Sequence, residues 1–138
     1  MRINAIGAFA IATNPTASAA WLVNHFGFRV GVDIGWYVNT QHPDHPNLHF
    51  DFCLQGHESV PAVERDHLGG GLGLLVDDVD AEARRLEAAG VEFLLAPVTE
   101  PWGQRRFQVL GPDNLCVEVI QMVTPDPTWL AEHGLAPE

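Results

Sequence analysis

The spacing of apolar positions changes several times along the 138 residues, and each change predicts an element. Ile3 to Ala12 is apolar with interleaved small residues and predicts a strand. Apolar positions then fall at helical spacing through "NPTASAAWLVNHFGF", with Ala17, Trp21 and Phe26 on one face. Asn14 caps this helix, Pro15 suits its first position, and Gly27 stops it. Trp21 reads as a packing residue. Three runs, Phe28 to Asp33, Gly35 to Thr40 and Leu48 to Leu54, predict strands, the last two parted by the proline-rich "QHPDHPN".

After a polar, glycine-rich connector at 55–70 the order recurs. "GLGLLVDDVDAEARRLEAAGVEF" gives a strand, a cap at Asp78, a helix opened by Val79 with Leu86 inward, and a stop at Gly90. Strands are predicted at Val91 to Leu95, Arg105 to Leu110 and Leu115 to Val123. The caps Asn14 and Asp78 are 64 residues apart, and the stops Gly27 and Gly90 are 63 apart. The reading is α+β: two tandem βαβββ modules, 3–54 and 71–123, in one domain spanning 1–123. In the polar, proline-punctuated tail at 124–138, Trp129 and Leu130 form an apolar anchor for the chain's own domain or for a second subunit.

Charge and residue inventory narrow the chemistry. A formal net charge of −11 argues against nucleic acid and anionic membranes as partners, and is compatible with a cationic ligand. The chain has no lysine, which excludes Schiff-base catalysis and a P-loop. Its two serines, Ser18 and Ser59, lie outside any GxSxG turn. Cys53 and Cys116, in apolar strand-like runs, read as free buried thiols. The absence of a 20-residue apolar run and of a secretory pattern in "MRINAIGAFAIATNP" leads to the expectation of a cytoplasmic protein.

One residue breaks the pattern. Glu118 sits inside "LCVEVI", where an unpartnered carboxylate would cost several kcal/mol. Alternation puts it on one strand face with Cys116 and Ile120, and Leu115, Val117 and Val119 on the other. Arg105 and Arg106 likewise take opposite faces of their strand.

"PWGQRRFQVLGPDNLCVEV" resembles the last hairpin of the vicinal oxygen chelate superfamily, which includes glyoxalase I, bleomycin-resistance proteins, fosfomycin-resistance enzymes and extradiol dioxygenases. There a PDGN turn precedes a strand carrying a Glu; here Asn114 takes the glycine position, which Asn tolerates through its access to positive φ. "NPTASAAWLVNHFGF" is similar to the first helix of that family. The resemblance covers about residues 3 to 123. It implies curled mixed sheets around a cleft with the helices outside, as a homodimer.

The resemblance also implies where a metal would sit in the enzymes: on the first strand of each module and on the last strand of the second. The first-strand positions here are Gly7 and Gly71, which have no side-chain donor. Glu118 stands in the last, and His49 or Asp51 are the fourth-strand candidates. No cofactor is therefore expected; the alternative is one divalent metal held through Glu118. The function expected is metal-independent binding of a small aromatic or cationic compound, of the antibiotic-resistance type. The alternative is a metal-dependent lyase or dioxygenase. The candidate ligand-binding residues are Trp36, on the third strand of the first module, His49, Asp51, Trp102, Arg106 and Glu118. Trp36 and Trp102 would stack on a planar or cationic ligand, at about 0.5–1.5 kcal/mol per contact. Three partners would satisfy Glu118: an arginine from the neighbouring strand, the ligand, or a metal. His42 and His45 read as solvated loop residues.

Overall fold

The computed structural model describes residues 1–135. Among these residues, two four-stranded mixed sheets carry the fold, with three α-helices. The chain divides into two compact units: Met1–Gly71 with Gly111–Leu115, and Leu72–Leu110 with the chain from Cys116 on.

In the first unit, β1 (Ile6–Ala12), α1 (Pro15–Phe26), β2 (Arg29–Asp33), β3 (Tyr37–Gln41) and β4 (Leu48–Leu54) follow one another, and the sheet order is β1-β4-β3-β2. β1 pairs parallel with β4, and β3 pairs antiparallel with β4 and β2. Asn14 caps α1 by accepting from Ala17 N at 3.1 Å, and Gly27 closes it at φ 71°. The buried stripe of α1 is Pro15, Ser18, Ala19 and Leu22. Ala17 is exposed, and Trp21 and Phe26 are half-buried, so the helix turns a different edge inward from the one expected. Beneath α1 lie Val38, Thr40, Phe50 and Phe52, all buried. The other face of the same strands carries Tyr37, Asn39, Gln41, His49, Asp51 and Cys53.

In the second unit, β5 (Gly70–Leu75), α2 (Val79–Ala88), β6 (Glu92–Glu100), β7 (Gln104–Leu110) and β8 (Leu115–Met122) repeat the order as β5-β8-β7-β6. Asp78 accepts from Ala81 N at 3.0 Å, and Val79, Ala83 and Leu86 form the buried stripe of α2. Phe107, Val109, Val117 and Val119 are buried, each such side chain contributing roughly 1.5–3 kcal/mol. β6 runs beyond Leu95, the residue at which it was expected to end. Pro97 lies in a register shift between the Leu95–Gln108 and Val98–Arg106 pairs, on an edge strand where a missing N–H costs no ladder bond.

The β7–β8 turn is a single 3-10 turn, Pro112–Asn114, with Asp113 at φ 52° and Asn114 at φ 63°. Asn114 thus adopts the positive φ expected of it. Asp113 accepts from both Thr13 N and Thr13 Oγ1 at 2.8 Å. The tail forms α3 (Pro127–Glu132), capped by Asp126. Leu130 is buried, and Asp126 N donates to Pro101 O at 2.8 Å, so the apolar anchor docks on its own unit.

Candidate functional site

In the second unit, β7 and β8 are paired with Gln108 opposite Glu118 and Arg106 opposite Ile120. Arg106, Gln108 and Glu118 therefore share a sheet face. Arg106 Nη1 donates to Glu118 Oε1 at 2.5 Å, and Gln108 Nε2 adds a longer bond at 3.3 Å. The same guanidinium reaches Glu100 Oε1 from Nε at 3.2 Å and from Nη2 at 3.1 Å. Its central carbon, Cζ, lies 5.4 Å from the centre of the Trp102 ring, within cation–π range. Trp102 Nε1 in turn donates to Gln104 Oε1 at 2.9 Å. The Glu118 bond, reinforced by Glu100, raises the Arg106 pKa against the opposing effect of burial. One guanidinium faces two carboxylates, so the cluster carries a net negative charge. Arg105 turns to the other face, where Asp80 of α2 and Thr99 receive it.

In the first unit, Asn39 Nδ2 lies 2.8 Å from His49 Nδ1 and donates to Asp51 Oδ1 at 2.8 Å. Asn39 is buried, while His49 and Asp51 are half-buried. Burial, then the hydrogen bond and charge of Asp51, raise the Tyr37 phenol. Phe9, opposite Asp51 on β1, is 44% exposed on this face.

Trp36 is not on a strand. It sits in the bend before β3, where Gly35 N donates to Asp33 Oδ1 at 2.9 Å, and its ring stacks on His57 at 4.0 Å and 4°. That end of the β3–β4 ladder is remote in register from His49, which pairs with Gln41. Cys53 and Cys116 are free and half-buried rather than fully buried; desolvation raises both thiols, Asp51 and Glu118 adding to it respectively. His42 lies in its loop beside Asp44 at 3.5 Å.

The model of the Glyoxalase/Bleomycin resistance protein/Dioxygenase superfamily matches residues 2–119. The chain belongs to this superfamily. No curated protein matches it in sequence. Among solved structures it is similar in fold to TioX from Micromonospora sp. ML1, with a TM-score of 0.70, 20% identity, and 86% of this chain and 98% of that one covered. TnmS3, an antibiotic binding protein from Streptomyces sp. CB03234, gives 0.66 and 21%, covering 88% and 96%. Lactoylglutathione lyase from Agrobacterium tumefaciens gives 0.68 and 18%, covering 84% and 91%.

The superfamily's enzymes imply a divalent metal, and the residues here do not fit one. Gly7 lies directly opposite His49 and offers no donor, as does Gly71. The Glu118 carboxylate is already held by a guanidinium. Among the described residues no three His, Cys, Asp or Glu side chains gather as a metal would require. Sequence reasoning missed Asn39, Glu100 and Gln108. Strand alternation was the available signal for Asn39 and Gln108: Tyr37, Asn39 and Gln41 share parity, as do Gln104, Arg106 and Gln108.

Proposed function

We propose that this protein binds a small aromatic or cationic compound without a metal, as a sequestering protein of the antibiotic-resistance type. The observation that carries this reading is the Arg106–Glu118 contact, in which the chain's own guanidinium satisfies the carboxylate without a metal. The cluster's excess carboxylate supports a cationic group on the ligand, and the 38% exposed Trp102 supports a planar one. The likeness to TnmS3 agrees with this reading in fold. Within the first unit, Trp36, stacked on one side by His57, is a separate candidate ring for a planar compound. The family resemblance extends the proposal to a homodimer, which sedimentation equilibrium tests.

The competing reading is a lyase or dioxygenase that uses Glu118 as a metal ligand. Two measurements on the purified protein separate them. Elemental analysis is expected to find no stoichiometric divalent metal, and proflavine is expected to quench tryptophan fluorescence saturably, with affinity falling at least about tenfold in Trp102→Ala. A metal present at one equivalent and lost in Glu118→Ala would overturn the proposal.

A further inference from the structure

Asn39 is positioned from two sides. On β2 the ladder slips at Gly31, between the Val30–Thr40 and Val32–Asn39 pairs. A β-carbon on Gly31 would lie 2.5 Å from Asn39 Oδ1, so this glycine makes the room in which the amide oxygen sits. On β4, Asp51 Oδ1 lies 2.8 Å from Asn39 Nδ2. Reversing the amide would set its oxygen against a carboxylate, two acceptors in contact. Asp51 therefore fixes which end of the amide faces β4, and the –NH2 also faces His49 Nδ1 at 2.8 Å. An N–H donor requires a lone pair on Nδ1. A neutral imidazole has one N–H, so the ring proton must be on Nε2.

We propose that Asp51 and Asn39 are positioning residues that lock His49 in the Nε2–H tautomer, and that this N–H receives a neutral carbonyl oxygen of a compound bound on this face of the first unit's sheet. This deepens the proposed binding function and rests on it. A protonated Nε2 has no lone pair for a metal, so the ring nitrogen that would ligate one has become a donor. Asp51 disfavours an anionic acceptor at the same place, and an N–H repels a cation. Gly7, opposite His49, leaves the ring unflanked by a side chain on β1, and half-exposed Phe9 supplies adjacent apolar surface.

The test is a long-range 1H–15N correlation spectrum of the 138-residue protein, taken at a pH where the imidazole is neutral. His49 is assigned by its loss in His49→Gln. The wild type is expected to show Nε2–H alone. The combined exchange Asn39→Asp with Asp51→Asn keeps atoms and charge but reverses donor and acceptor, and is expected to move the proton to Nδ1. Acetophenone, which offers only a carbonyl acceptor, should shift the wild-type Nε2–H resonance and bind about tenfold more weakly to the exchanged variant. Benzylammonium should leave that resonance unmoved. A wild-type Nδ1–H ring, or one tautomer in both proteins, overturns the inference; so does benzylammonium acting where acetophenone does not. Proflavine quenching that persists in either case would leave the binding function standing and the tautomer lock alone refuted.

Discussion

Arg106 meets Glu118 diagonally across the β7–β8 ladder, two residues out of register, because its direct partner is Ile120. The diagonal lets one guanidinium hold Glu118 and Glu100 together. Removing the arginine should therefore cost more than removing either acid, since two half-buried carboxylates are left without a cation. Arg106→Leu is expected to destabilise by roughly 1–3 kcal/mol. Glu118→Gln should cost less, and the double variant should show a coupling of about 1 kcal/mol in urea unfolding. Additive effects would mean that the contact contributes nothing net.

Asp80 and Arg105 give a pH signature on the opposite sheet face. Hydrogen bonds from the Arg105 guanidinium hold the Asp80 carboxyl below its ordinary pKa, partly opposed by desolvation. A folded-state pKa that is depressed stabilises the fold above the unfolded value, ~3.9, and the gain is lost as pH falls through the folded one. The stability difference between wild type and Asp80→Asn should be constant from neutral pH to about 5 and vanish on further acidification. A difference that grows on acidification would contradict this. The measurement is urea unfolding across that range.

Much of the fold was legible because its signals are local. Asn14 and Asp78 cap their helices through bonds to residues three positions on, and alternation along "LCVEVI" sorts Glu118 from the buried valines. What was not legible depended on pairing. The expected strand stops at Leu95, but β6 runs on through Pro97, which a register shift on an edge strand accommodates. The sequence pattern puts Trp36 on the third strand, whereas the Asp33–Gly35 contact bends the chain just before β3. Asn39 carried no local sign of importance. Its role comes from a slip at Gly31 and two neighbours ten and twelve residues away.

The cap of α1 offers a direct check on the helix that covers the first sheet. Asn14 Oδ1 satisfies one N–H that α1 itself cannot, and no acidic residue in the first turn supplements it. Asn14→Ala should lower stability by about 1 kcal/mol, and Asn14→Asp should retain it. Chemical denaturation of the three proteins distinguishes a cap from a loop residue, for which all three midpoints would coincide.

The tail bears on the candidate site through Trp102. Leu130 is 8% exposed, and Trp129 places its ring 6.1 Å from that of Trp102 at an angle of 53°. A six-residue helix has little stability of its own, so the position of α3 depends on this apolar contact. Leu130→Ala should cost about 2 kcal/mol, the lower end for a buried leucine because a terminal segment can relax into the gap. It should also loosen the Trp129 ring that packs on Trp102. Near-ultraviolet circular dichroism from tryptophan should fall while the far-ultraviolet helix and strand signal is kept, and proflavine affinity should drop with it. An unchanged near-ultraviolet spectrum would show that the β6–β7 turn alone holds Trp102, with α3 as a bystander.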